Sequence, residues 1–113
     1  MNQIAVIYWS GTGNTESMAH SVADGIAKAG KEAVLKQVSE ISAADAAAYD
    51  ALALGCPAMG DEVLEEGEFE PFFSELEGSL SGKKIALFGS YGWGDGQWMR
   101  DWQERAESAG ARL

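Results

Sequence analysis

The sequence predicts an α/β fold: a doubly wound parallel sheet with helices on both faces. Short apolar runs alternate strictly along the chain with stretches of helical period. Such alternation builds a parallel sheet, because right-handed crossovers carry each helix onto a face of the sheet. Three of the predicted strands end in loops rich in glycine or polar residues. Since ligands of these sheets bind at the carboxyl ends of the strands, we expect the three loops to form one pocket.

The first half of the chain predicts three strands and two helices. Ile4 to Trp9 is a β-branched and aromatic run that stops at a glycine loop, as a buried parallel strand does. After the loop, Met18, Val22 and Ile26 recur at four-residue spacing, which predicts an amphipathic helix ending near Gly30. The later elements are a strand from Ala33 to Val38, a short alanine-rich helix from Ser42 to Ala48 and a strand from Ala51 to Gly55.

The second half predicts one further strand between two helices. An acidic segment leads into a helix from about Glu70 to Leu76, a strand follows from Ile85 to Gly89, and a last helix runs from Gln97 to Ala109 before Gly110. With 113 residues, 46% of them hydrophobic, the chain can build one continuous core and has no room for a second. We therefore expect residues 1–113 to form a single domain.

Acidic residues dominate the charge, with 18 Asp and Glu against 8 Lys and Arg and a formal net charge of -10. Such a surface repels nucleic acid and anionic membranes, so we expect neither as a partner. Basic surfaces on partner proteins are its natural counterpart. A solvated rim is the simplest interpretation of the acids that crowd into one stretch, namely Asp61, Glu62, Glu65, Glu66, Glu68, Glu70, Glu75 and Glu77.

The single cysteine, Cys56, allows no intrachain disulfide and gives no sign of an oxidising compartment. We find no basic leader and no apolar run long enough for a signal peptide or a bilayer span, so we expect a cytoplasmic protein. A phosphatase nucleophile requires an Arg six residues after the cysteine. In this chain that position, six residues after Cys56, is Glu62. We expect Cys56 to be a small buried side chain. His20 has no Cys or second His nearby, and we predict no metal site.

The loop after the first strand has the composition of an anion site. Its residues are Ser10, Gly11, Thr12, Gly13, Asn14 and Thr15. It lies between a buried strand and a helix start, where backbone N–H groups and the positive end of the helix dipole face outward. The loop lacks the Gly-Lys-Ser/Thr ending of a nucleotide-triphosphate loop, and Glu16 occupies the third glycine position of the dinucleotide fingerprint. A monophosphate ester fits best, with a simple capped turn as the alternative.

The run Tyr8-Trp9-Ser10-Gly11-Thr12-Gly13-Asn14-Thr15 resembles the phosphate loop of short-chain flavodoxins of the clostridial type. The resemblance covers nearly every residue of the chain. It implies a flavodoxin-like strand order 2-1-3-4(-5) and non-covalently bound FMN as the cofactor. It continues through Met59-Gly60-Asp61-Glu62, Glu65-Glu66, Glu68-Phe69-Glu70-Pro71-Phe72 and Gly89-Ser90-Tyr91-Gly92-Trp93-Gly94-Asp95-Gly96.

The second and third loops contain side chains suited to a flavin ring. Trp93, which lies between two glycines, suits stacking on one face, and Met59 offers a polarizable sulfur for the other. The resemblance supports both roles. It also implies that the Gly60-Asp61 peptide turns over on reduction and that Glu62 accepts a hydrogen bond from the flavin N3–H. Besides the phosphate loop, the implied cofactor-binding residues are Ala58, Met59, Gly60, Asp61, Glu62, Ser90, Tyr91, Gly92, Trp93 and Gly94.

As a flavodoxin, the protein would be a low-potential one-electron carrier that cycles FMN between semiquinone and hydroquinone and docks on redox partners through an acidic rim. It would have no catalytic residues of its own. The clustered acids should oppose formation of the anionic hydroquinone and lower the second reduction potential. Two alternatives stay open: an FMN-dependent NAD(P)H quinone or nitro reductase of related fold, and a non-redox phosphate-binding module.

Short-chain flavodoxins continue with a fifth strand and helix, which this sequence lacks. We therefore expect a C-terminally incomplete domain in which strand four, Ile85 to Gly89, is a bare apolar edge. The chain would then be either a fragment of a longer protein or a protein whose sheet is completed by another molecule, with self-association through strand four.

Overall fold

The computed structural model describes residues 3–9, 13–49, 51–56, 67–89 and 97–111, without the side chains of Asn14, Gln97 and Trp98. In these residues the strands pair in parallel, in the order β2-β1-β3-β4. The predicted fold class and strand order are therefore confirmed. The strands are β1 (Gln3–Tyr8), β2 (Glu32–Gln37), β3 (Ala51–Gly55) and β4 (Lys84–Phe88). The helices are α1 (Asn14–Lys28), α2 (Ala43–Ala46), α3 (Phe69–Leu76) and α4 (Gln97–Ser108), with 3-10 turns at Val38–Glu40 and Glu77–Ser79.

Each element boundary lies within a few residues of its predicted position, and local hydrogen bonds explain two of the differences. Strand β2 ends before Val38 because the chain turns into a 3-10 helix, where the Gln37 backbone N–H donates to Glu40 Oε1 at 2.7 Å. Helix α2 is shorter than predicted and begins after Ser42, whose Oγ accepts from the Asp45 backbone N–H at 3.1 Å. Asn14, which the sequence assigned to the first loop, is instead the first residue of α1.

Strand residues alternate between two apolar clusters, one on each face of the sheet. The larger cluster lies on the face of α2, α3 and α4 and includes Ile7, Leu54 and Ile85. The smaller lies on the α1 face, where Val6 and Ala53 pack with Ala19. A sheet that is buried on both sides needs apolar residues at successive positions, which explains why the strands lack polar alternation.

Gly55 is required by the side chain beside it. It pairs with Phe88 in the β3–β4 register, and the Phe88 ring lies over it. A Cβ atom at position 55 would overlap three atoms of that ring. Glycine at the end of β3 therefore leaves room for an aromatic side chain at the end of β4.

Helices α3 and α4 are joined by an aromatic contact and by a charge network. The Trp102 ring is 1% exposed and meets the Phe69 ring edge-on, with the ring centroids 5.4 Å apart. Above this contact, Arg105 Nη2 lies 2.6 Å from Glu70 Oε2, and Arg105 Nε lies 2.8 Å from Glu77 Oε2. The interpretation of the clustered acids as a solvated rim is therefore wrong for Glu70 and Glu77, which Arg105 pairs. Arg105 lies far from them in sequence and meets them only after the helices pack.

Replacing Arg105 with methionine is expected to lower the free energy of unfolding by about 1–2 kcal/mol, since the network is partly exposed. The hydrogen bond from Arg105 lowers the pKa of Glu70 in the folded state. This contribution to stability is complete above the unfolded-state pKa of about 4.3 and is lost as pH falls through the folded-state pKa. Urea unfolding from about pH 7 to about pH 3 should show the wild-type advantage shrinking in acid.

Lys31→Met, which removes an exposed cation away from this network, is the control and should show no such pH dependence. A wild-type advantage over Arg105→Met that stays constant down to the lowest pH would contradict the assigned ion pairs.

Candidate cofactor site

Three strands end at one edge of the sheet, next to the places where the three predicted loops begin. Backbone hydrogen bonds continue one residue past the paired strands. The Trp9 N–H donates to the Gly55 carbonyl at 3.0 Å, and the Cys56 N–H donates to the Phe88 carbonyl at 3.1 Å. The carboxyl ends of β1, β3 and β4 are therefore tied side by side. This is the edge at which sheets of this kind bind their ligands.

Helix α1 begins at this edge, directly after β1 and the start of the first loop. Its N-cap is Gly13, which has a φ of 95° and no side chain to cap the first turn. The first helical bond runs from the Ser17 N–H to the Gly13 carbonyl at 3.0 Å. With 15 residues, the helix directs the positive end of its dipole toward the edge. An anion is favoured at this point, and the phosphate of a cofactor suits it.

Tyr8, at the end of β1, is 5% exposed and donates its hydroxyl hydrogen to Glu16 Oε2 at 3.4 Å. Burial raises the pKa of Tyr8, and the negative charge of Glu16 raises it further. The phenol therefore stays protonated and remains a hydrogen-bond donor near the start of the phosphate loop. Because Glu16 accepts this bond, its carboxylate is held to β1.

Of the predicted site residues, the structure describes three. Gly13 and Asn14 begin α1, and the neighbouring Thr15 has a side chain that is only 1% exposed. The others lie outside the described residues: Ser10, Gly11, Thr12, Ala58, Met59, Gly60, Asp61, Glu62, Ser90, Tyr91, Gly92, Trp93 and Gly94. Their flanking residues, among them Trp9, Cys56 and Gly89, are described, so the origins of all three loops are known.

One contact near this edge was not predicted from the sequence. The indole Nε1–H of Trp9 donates to Glu68 Oε1 at 3.1 Å, which joins the start of the first loop to the segment just before α3. The two residues are 59 positions apart. The sequence predicts Trp9 in a strand and Glu68 among the solvated acids. No local pattern pairs them, because their contact depends on the packing of α3 against the sheet.

Cys56 and His20 lie outside the predicted site. Cys56 is fully buried, as predicted, and His20 is exposed on α1. The described residues contain no cluster of His, Cys, Asp or Glu that could hold a metal ion. In the same residues no helix is long and apolar enough to cross a membrane.

Comparison with known proteins identifies the family. The flavodoxin family model matches residues 6–113. The chain belongs to the flavodoxin family. It is 57% identical to a flavodoxin of Clostridium beijerinckii over 105 residues, which are 93% of this chain and 76% of the relative. It is 47% identical to a flavodoxin of Megasphaera elsdenii over 110 residues, 97% of this chain and 80% of the relative. The resemblance to the clostridial type is thereby confirmed.

Solved structures agree with this family. The solution structure of two-electron reduced Megasphaera elsdenii flavodoxin has a TM-score of 0.91 and covers 96% of this chain and 79% of its own, at 47% identity. The crystal structure of oxidised flavodoxin 2 from Bacillus cereus has a TM-score of 0.86, at 34% identity, and covers 98% of this chain and 78% of its own. The observed sheet is therefore the flavodoxin fold.

Flavodoxins bind FMN and transfer electrons between redox proteins, so this chain is an FMN-binding electron carrier rather than an enzyme. The described residues fit that cofactor, because α1 begins at a glycine, which brings no side chain between the helix start and a phosphate ester at the edge where the three loops begin. When bound, FMN supplies a ring that accepts and releases single electrons.

Gly13→Ala is expected to weaken FMN binding by roughly fivefold and to lower the free energy of unfolding by about 1 kcal/mol. Alanine tolerates a φ of 95° poorly, and relaxing it turns the first N–H groups of α1 away from the phosphate. A Cβ here has no described atom within 4 Å, so the effect is conformational. Fluorescence titration of apoprotein with FMN and urea unfolding measure the two quantities.

Gly25→Ala is the matched control, since it lies on the same helix, outside the left-handed region and free of steric overlap. It should raise stability by about 0.5–1 kcal/mol and leave FMN affinity unchanged. If Gly13→Ala binds FMN as tightly as wild type does, the start of α1 is not part of the phosphate site.

Proposed function

We propose that this chain is a low-potential carrier of single electrons that holds FMN at the carboxyl edge of its sheet and cycles it between semiquinone and hydroquinone. The observation that carries the proposal is the meeting of the α1 N-terminus with the ends of β1, β3 and β4 in a chain of the flavodoxin family. The phosphate site and the loops that follow β3 and β4 then belong to one pocket. We propose in addition that residues 1–113 form one domain and that the protein is cytoplasmic.

The cofactor contacts divide among the three loops. The phosphate is held by the loop from Ser10 to Thr15, supported by the position of Gly13 at the α1 start and by the burial of Thr15. Met59 and Trp93 cover the two ring faces, and Glu62 accepts from N3–H. The backbone at Gly60-Asp61 changes orientation on reduction. The remaining proposed contacts are Ala58, Ser90, Tyr91, Gly92 and Gly94.

Negative charge near the flavin ring lowers the second reduction potential. It also forms the surface through which the protein docks on its redox partners. Two unit charges about 8 Å apart at an effective dielectric of about 20 interact by roughly 2 kcal/mol, or about 90 mV for one electron. Carboxylates of the 61–77 stretch therefore disfavour the anionic hydroquinone. Glu70 and Glu77 contribute less, since Arg105 compensates them. The same acidic rim steers the protein to redox partners with basic docking surfaces.

Purified protein is expected to bind FMN and to bind riboflavin, which lacks the phosphate, at least tenfold more weakly. A redox titration should resolve two one-electron steps, with the second at a lower potential than that of free FMN.

Mixing with NADPH in a stopped-flow instrument should produce no flavin reduction. Rapid reduction by NADPH would instead support the quinone or nitro reductase, and protein that fails to bind FMN would support the non-redox phosphate-binding module.

We propose also that a second copy of the chain covers the β4 edge. Strand β4 is outermost in the sheet of the described residues, and Ala86 in its middle is exposed. On the α1 face, Val22, Ile26 and Ala86 help line a largely apolar groove of about 450 Å³. Antiparallel pairing about a twofold axis at Ala86 would place each Lys84 opposite Phe88 of the other copy, so no like charges face each other.

Multi-angle light scattering should therefore show a concentration-dependent dimer. Ala86→Lys would place two ammonium groups opposite each other and should return the protein to monomer, with FMN content and circular dichroism checking its fold. Ala27→Lys, exposed on α1, should leave the dimer intact. Wild-type protein that is a monodisperse monomer with bound FMN at high concentration would contradict self-association.

A further inference from the structure

The Trp9–Glu68 hydrogen bond connects two segments that the proposed function assigns to different parts of the cofactor. Trp9 directly precedes the Ser10 to Thr15 phosphate loop, and Glu68 follows the loop that contains Met59. The indole nitrogen and the carboxylate oxygen are 3.1 Å apart. A hydrogen bond at this distance can hold two segments together when the backbone at both ends is anchored, whether its acceptor is a carboxylate or an amide oxygen.

Both partners rest on ordered parts of the fold. The Trp9 backbone N–H donates to the Gly55 carbonyl, and its ring packs against the larger apolar cluster. The Glu68 carbonyl accepts from the Phe72 N–H at 3.2 Å in the first turn of α3. The next residue, Phe69, is fully buried against Trp102. The bond therefore joins the sheet edge to the start of α3, and the backbone is anchored at both ends.

We infer that Trp9 and Glu68 are positioning residues for FMN: their hydrogen bond fixes the phosphate loop relative to the loop for the flavin ring. Neither residue needs to touch the cofactor. Because the two segments are already held together, binding costs less ordering of the chain and FMN affinity rises. The inference rests on the proposed division of the cofactor between these loops.

A charge effect of Glu68 and its role as acceptor can be separated by substitution. Trp9→Phe removes the donor and keeps an aromatic ring and the carboxylate. Glu68→Gln removes the charge and keeps an acceptor oxygen at the same reach, and Glu68→Ala removes both. Glu75→Ala is the matched control, since Glu75 is an exposed carboxylate on the same helix segment as Phe69 and Phe72.

The experiment titrates each apoprotein with FMN. Trp9→Phe and Glu68→Ala should each raise the dissociation constant by about three- to tenfold, and the double variant should bind no more weakly than the weaker single variant. Glu68→Gln should stay within about twofold of wild type while raising the second reduction potential, and Glu75→Ala should match wild type in affinity. Urea unfolding of the apoproteins corrects for any loss of global stability.

Wild-type affinity in Trp9→Phe, or additive losses in the double variant, would overturn the positioning role and leave the proposed function in place. A loss in Glu68→Gln as large as in Glu68→Ala would assign the effect to charge and also overturn it. Wild-type protein that binds no FMN would instead refute the proposed function itself, and with it the inference.

Discussion

The edge of the sheet at which β1, β3 and β4 end depends on two backbone hydrogen bonds just beyond the strands. The Trp9 N–H donates to the Gly55 carbonyl, and the Cys56 N–H donates to the Phe88 carbonyl. They hold β1, β3 and β4 in line at the places where the chain leaves the sheet. Because both bonds join backbone groups, they place few demands on the side chains of the loops that follow. Those loops can therefore carry the small, polar and aromatic residues that a flavin requires. Helix α1 adds a fixed dipole beside the same edge.

Much of the fold could be predicted because strands and helices follow local patterns. The apolar run of β1 and the four-residue spacing in α1 each lie within a few residues of sequence, and both elements were found near their expected positions. Boundaries were less predictable where a side chain ends an element, as Glu40 does after β2. Helix α1 starts at Asn14, and so includes the last two residues of the predicted loop, because Gly13 occupies the N-cap position with a positive φ that glycine adopts without strain.

Contacts between residues that are far apart in the chain could not be predicted from the sequence. Composition gives the number of acids, but not that Arg105 contacts Glu70 and Glu77 or that Glu68 accepts a bond from Trp9. These contacts form only after α3 packs on α4 and on the sheet. Among the described acids of this stretch, Glu70 and Glu77 are compensated by Arg105, Glu68 accepts a hydrogen bond, and Glu75 is exposed. Net charge alone therefore overstates how uniformly the rim acts on a cofactor or a partner.

The contact between Gly55 and Phe88 has a consequence for how the sequence can vary. A larger residue at position 55 requires the Phe88 ring to move or to be replaced by a smaller side chain, whereas Phe88 can become smaller while Gly55 stays. Replacement of Gly55 is therefore conditional on a change at Phe88. Because both residues end strands at the edge where the predicted loops begin, this dependence restricts sequence drift at that edge.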